Sequence, residues 1–184
     1  MKSSGHLDAI GVDVMSLEDK RFNENPEKIH EFFRLMTRQF TADEWMQIKS
    51  EPNLQKQLAH FFRFWTLKES FVKGHGHGLA WNLQRLSFKV KSVLEKETVV
   101  CDSELCLDGE LNPQWHFEET LLDPKHCVTT ALKGQNEIKG QKAFTRLTCA
   151  EILDSLELLT ADLTKSDSKT EWNEYLTKVE NKPF

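Results

Sequence analysis

The apolar positions of this chain begin as an alternation. Ile10, Val12 and Val14 are interleaved with Gly11 and Asp13, which predicts a strand over residues 10–15. Asn25 followed by Pro26 supplies an N-cap and a first-turn proline, so a helix is expected from there to about Gln39, with Ile29, Phe32, Phe33 and Met36 as its apolar face. Thr41-Ala42-Asp43-Glu44 has the form of a capping box and opens a short helix carrying Trp45 and Ile48. After Pro52 and Asn53 a long amphipathic helix is expected from Leu54 to Lys73, capped at Gly74 and followed by the glycine-rich turn Gly74-His75-Gly76-His77-Gly78. Strand signals then recur at Leu86, Phe88 and Val90, from Val99 to Leu107, from Trp115 to Phe117 and from Cys127 to Leu132, with an Asp108-Gly109 turn among them. Helices first and strands after indicate an α+β fold, an antiparallel sheet against a long helix.

From Gly134 the sequence turns polar, and the compact domain is expected to end there. Residues 1–8 then form an N-terminal stub, 9–133 the domain, and 134–184 a polar linker with a partly helical tail. Within that tail Ile152, Leu153, Leu156 and Leu159 give helical periodicity from Ala150 to Leu163, and Lys165 to Thr170 read as solvated.

Composition narrows the function classes. With 184 residues, 39% apolar, 29% charged, 12 Phe and 5 Trp, the chain can build one ordinary domain with an appendage. A net charge of −5 argues against a general nucleic-acid or anionic-membrane binder, which relies on excess Lys and Arg. Cys101, Cys106, Cys127 and Cys149 form no CxxC pair, so reduced thiols in the cytosol are expected. No apolar stretch reaches membrane length, and residues 1–10 contain no apolar signal core.

The chemistry centres on Glu69. Helical spacing places Leu54, Leu58, Phe62 and Trp65 on one stripe, and the next steps land on Glu69 and Lys73. A carboxylate there requires compensation. Asp13, on the predicted strand, is a second hard oxygen ligand, and such a pair suits Mg²⁺, which keeps several waters and is completed by phosphates. The plain alternative is a Glu69–Lys73 pair at helical spacing beside an ordinary strand-end Asp13. Lys68, Lys73 and the loop amides after them would complement a pyrophosphate, although Lys73 is equally explained by the helix dipole. His75 and His77 lack the geometry of a metal site, and no Ser or Cys nucleophile stands beside a base. Phe61, Phe62, Phe64 and Trp65 read as core, whereas Phe32, Met36, Phe40 and Trp45 divide between burial and seating a partner.

Gly11-Val12-Asp13-Val14-Met15, Phe40-Thr41-Ala42-Asp43-Glu44-Trp45 and Trp65 through Lys73 resemble, in order and spacing, the motifs of 4′-phosphopantetheinyl transferases of the surfactin-synthetase type, in its animal subgroup. The resemblance covers most of residues 9 to 133. It implies transfer of the phosphopantetheine arm of coenzyme A to a serine of an acyl or peptidyl carrier protein, with Mg²⁺ and release of adenosine 3′,5′-bisphosphate. By motif, Asp13 and Glu69 would be the metal ligands, Glu69 would assist deprotonation of the serine, and Lys68 and Lys73 would contact coenzyme A phosphates. Met15 stands where many bacterial relatives have a third acidic ligand, so more water would complete the metal. Surfactin-type members are pseudodimers of two similar halves, and this chain resembles the second half and a tail. A truncated product that binds carrier protein, or associates with itself through the exposed pseudodimer face without transferring, is the alternative expectation.

Overall fold

The alternation at residues 10–15 forms a strand, β1 (Leu7–Ser16), in the computed structural model, which describes residues 7–76, 78, 81–134, 144 and 147–154. β1 pairs antiparallel with β6 (His126–Gly134), which also pairs with β5 (Trp115–Asp123), giving the order β1-β6-β5. A second small sheet joins β2 (Leu86–Lys89), β3 (Glu104–Leu107) and β4 (Glu110–Leu111). The helices are α1 (Lys20–Asn23), α2 (Lys28–Leu35), α3 (Ala42–Lys49), α4 (Leu54–His75) and α5 (Cys149–Asp154). The class is α+β, as the order of patterns indicated.

Because strand side chains alternate, β1 has two different faces. Ala9 and Met15 pack against the core, and Gly11 and Asp13 meet α4 on the same side. Ile10, Val12 and Val14 lie on the other side and are 59%, 49% and 47% exposed.

α4 is the organising element. Asn53 caps it by accepting from the Lys56 amide at 2.9 Å. The helix ends at Gly76, whose φ of +81° is the left-handed conformation of a glycine cap, and not at Gly74. Gly74 serves packing instead: a Cβ there would stand 2.9 Å from the Trp115 ring and 3.0 Å from the Gly11 amide. The stripe expected to face the core was Leu54-Leu58-Phe62-Trp65-Glu69. The deepest stripe is Phe61-Phe64-Lys68-Phe71, all at most 1% exposed, while Trp65 and Glu69 are half-buried. Phe61 makes an edge-on contact with Phe40 at 4.9 Å, stacks on Phe33 and lies 6.0 Å from Trp45, so the aromatic side chains of α2, α3 and α4 interlock. A buried Arg63–Glu119 pair, with contacts of 2.8 and 3.0 Å, ties α4 to β5.

Two expected elements are shorter, and one helix is additional. The helix from Pro26 to Gln39 is shorter: Pro26 lies in a turn before α2, and Thr37 ends the helix by donating its hydroxyl to the Phe33 and Arg34 carbonyls, leaving a 3₁₀ turn at Thr37–Gln39. α1, capped by Asp19, was not anticipated. The strand expected over 99–107 is confined to β3, with Val100 forming only a bridge to Glu119. The Asp108-Gly109 turn stands, with φ of +54° and +85°.

The chain divides into two units, Met1–Ala143 and Phe144–Phe184. In the second, α5 begins the expected tail helix and has its own capping box between Thr148 and Glu151. The rest of that helix, the 165–170 segment, His77 and residues 1–6 lie outside the described residues. Among the described residues, no helix is long and apolar enough to cross a membrane.

Cys127 on β6 is fully buried beside Thr66, and burial pushes its thiol up to about 11. Thiolate is then scarce at neutral pH and access is closed. We expect Cys127 to escape alkylation in the native protein while the exposed Cys149 reacts, with mass spectrometry of the modified peptides as the check.

Candidate functional site

Two glycines bring the site together. At Gly11 a Cβ would stand 2.0 Å from the Ser70 carbonyl oxygen and 2.3 Å from the Gly74 amide, so β1 and α4 touch backbone to backbone. Two residues further along the same face of β1 is Asp13, and it meets the last turns of α4. Lys73 donates to Asp13 Oδ1 at 2.7 Å and to the Val12 carbonyl at 3.1 Å. Asp13 is 11% exposed and Lys73 50% exposed, so the pair sits at the rim of the β1–α4 junction.

The other oxygen, Asp13 Oδ2, is buried without a hydrogen-bond partner. An orphaned carboxylate oxygen beside a second carboxylate is the opposite of a satisfied surface pair. That second carboxylate is Glu69. Burial, and then the negative charge of Asp13, raises its proton affinity above the usual glutamate range, with Lys73 opposing. Asp13 and Glu69 are therefore close enough to feel each other's charge. The donor set is two carboxylates, one of them with an unsatisfied oxygen, and it fits a Mg²⁺-type cation. Among the described residues no group of three or more His, Cys, Asp or Glu gathers, so a cation here would complete its shell with water or phosphate oxygens. Met15, two positions beyond Asp13, packs on the core.

Lys68 requires a correction. It was expected to reach phosphates, yet it is 0% exposed and all three of its donors are used. They go to Glu44 Oε2, the Leu83 carbonyl and the Leu86 carbonyl, each at 2.8 Å. Adjacent residues on a helix point about 100° apart, so Lys68 and Glu69 face different surroundings. Burial pushes Lys68 down and Glu44 up, and the charge of each opposes the shift of the other.

The aromatic residues considered as a partner surface are also corrected. Phe40 and Trp45 are 1% and 9% exposed, and Phe32 and Met36 are partly buried against the core. Their periodicity serves interhelical packing. His75, the last residue of α4, packs in a tilted arrangement against Phe71 and Trp81.

Sequence reasoning missed Gly11 and Glu44. Glu44 is explained locally by the capping box, where it accepts from the Thr41 amide at 2.8 Å, so nothing in its spacing pointed to a second role. Gly11 carried a faint signal, an isolated glycine inside a strand pattern, which marks close approach of another backbone.

Comparison with known proteins gives one consistent answer. The model of the 4′-phosphopantetheinyl transferase superfamily matches residues 9–131. L-aminoadipate-semialdehyde dehydrogenase-phosphopantetheinyl transferase of Xenopus laevis is 42% identical over 133 residues, 72% of this chain and 42% of that protein. The protein of that name from Homo sapiens is 36% identical over 166 residues, 83% of this chain and 52% of that protein. A phosphopantetheinyl transferase of Thraustochytrium sp. is 31% identical over 165 residues, 84% of this chain and 53% of that protein. The chain thus spans about half the length of the curated relatives it matches.

Proposed function

This chain belongs to the 4′-phosphopantetheinyl transferase superfamily, and on that premise we propose that it transfers the 4′-phosphopantetheine arm of coenzyme A to a serine of an acyl or peptidyl carrier protein, in the cytosol and with Mg²⁺. The observation that carries the proposal is the junction of Asp13, Glu69 and Lys73, with its unsatisfied Asp13 oxygen.

Asp13 and Glu69 would hold the cation. When bound, Mg²⁺ supplies charge neutralisation of the pyrophosphate and orientation of its oxygens. The protein's own residues do the rest. Glu69, whose raised proton affinity suits an acceptor, takes the proton of the carrier serine directly or through a water. The serine oxygen then bonds to the phosphorus of the phosphopantetheine arm, and adenosine 3′,5′-bisphosphate leaves with the electrons of the broken P–O bond. Lys73 reaches a phosphate oxygen from its half-exposed position while Asp13 holds its ammonium in place. Positioning and charge compensation supply most of such a rate enhancement.

A second reading is supported by the outer face of β1. Ile10, Val12 and Val14 form an exposed apolar row, which a second copy of the chain or a carrier protein would cover. In that reading the chain binds without transferring.

One assay separates the two. Labelled coenzyme A is incubated with apo carrier protein, with Mg²⁺ or with chelator, across a range of enzyme concentrations. Chelator-sensitive labelling of the carrier serine is expected. Carrier binding without labelling at any concentration would replace the transferase reading with the binding one.

A further inference from the structure

Lys68, the residue before Glu69, belongs to an ion pair that has no access to solvent. Glu44 and Lys68 are both 0% exposed. Glu44 Oε2 accepts from Lys68 Nζ and from the Thr41 amide, each at 2.8 Å, and Oε1 accepts from the Phe88 amide at 2.9 Å. Lys68 spends its remaining donors on the Leu83 and Leu86 carbonyls, and its ammonium lies 5.1 Å above the Phe40 ring. The pair therefore joins the first turn of α3, the segment from Leu83 into β2, and the middle of α4.

Stability alone does not call for charge at this place. A buried ion pair spends most of its Coulomb energy on desolvation, and apolar residues of similar volume commonly do as well or better. What such a pair adds is direction. The attraction among the apolar neighbours along α4, Phe61, Phe64, Leu67 and Phe71, opposes separation but is non-directional and does not by itself select a rotation of the helix about its own axis. Five hydrogen bonds from fixed backbone and side-chain groups do resist it. Glu69 follows Lys68 directly, so the direction of one fixes that of the other. At the radius of a helix surface, a turn of about 20° displaces a carboxylate by about 2 Å, well beyond the tolerance of a metal or proton-transfer site.

We propose that Glu44 and Lys68 are positioning residues that lock the rotation of α4 and so aim Glu69 at Asp13. The inference rests on the reading of Asp13 and Glu69 as the metal-holding pair. It replaces the phosphate contact first expected of Lys68.

The test uses the full chain and the double variant Glu44→Gln/Lys68→Met, which removes both charges and keeps approximate volume. Three quantities are measured: Mn²⁺ affinity from the electron paramagnetic resonance signal of free Mn²⁺, the thermal midpoint, and kcat and KM for coenzyme A. Mn²⁺ affinity should weaken about 10-fold or more, the scale seen when groups that orient metal ligands are removed. kcat should fall by a similar factor, with KM and the thermal midpoint little changed. A folded double variant with wild-type Mn²⁺ affinity and kcat overturns the proposal. Should the double variant fail to fold, Thr41→Ala removes the hydroxyl that accepts from the Glu44 amide at 3.3 Å and so loosens the first turn of α3, which carries Glu44, without altering charge; about a 2- to 3-fold loss of Mn²⁺ affinity is expected, and an unchanged value overturns the proposal equally. Wild-type protein that binds no Mn²⁺ is a different failure, that of the two-carboxylate reading itself.

Discussion

Glu69→Gln should lower transfer to carrier protein by a factor on the order of 10³ while leaving the protein slightly more stable than before. The substitution keeps the shape of the side chain and removes one charge. Loss of that charge takes away half of the proposed cation-holding pair and the proton acceptor together, and the two contributions act on one step. Stability should respond in the other direction. The carboxyl of Glu69 titrates above the usual range because burial and Asp13 both disfavour its ionised form. A group raised in this way stabilises the fold below its unfolded titration, and that contribution is lost as pH rises through the folded one. At neutral pH the ionised Glu69 is thus a small cost, screened by its partial exposure, and glutamine relieves it. Single-turnover transfer measured beside thermal melting tests both halves. A variant that keeps activity within a few-fold of wild type would remove Glu69 from the mechanism.

The largest effect on the fold is expected from Gly11→Ala. The added methyl would stand 2.0 Å from the Ser70 carbonyl oxygen and 2.3 Å from the Gly74 amide. Both are backbone atoms of α4, so no side-chain rotation can accommodate it, and β1 must move away from the helix. Overpacking of this kind costs about 3 kcal/mol or more, placing it in the upper tail of single substitutions. Urea denaturation should show a lower midpoint with an unchanged slope. The displacement also carries Asp13 away from Lys73 and Glu69, so residual folded protein should bind Mn²⁺ poorly. A stability within about 1 kcal/mol of wild type would mean that the β1–α4 contact is looser than described.

Much of the fold was legible because its causes are local. The alternation of Ile10, Val12 and Val14 specifies a strand by itself, and α4 follows from its cap at Asn53 and its periodicity. Thr41 with Glu44 and Asp108 with Gly109 are short-range chemistry, and both formed as read. Where local signals competed, the reading slipped. Gly74 had the composition of a helix cap, but packing against Trp115 and Gly11 carries the helix past it to Gly76.

The candidate site divides in the same manner. The sequence alone determined that Asp13 lies on an early strand and Glu69 and Lys73 on the same long helix, because strand and helix periods are properties of the chain itself. Only the tertiary structure decided that the charge on the deepest face of α4 is Lys68 and not Glu69, since an amphipathic pattern with apolar residues nearly all round leaves its rotation undetermined. That rotation depends on Glu44, distant in sequence, and on the backbone contact at Gly11. Such pairings depend on which surfaces meet, and no local periodicity encodes that choice.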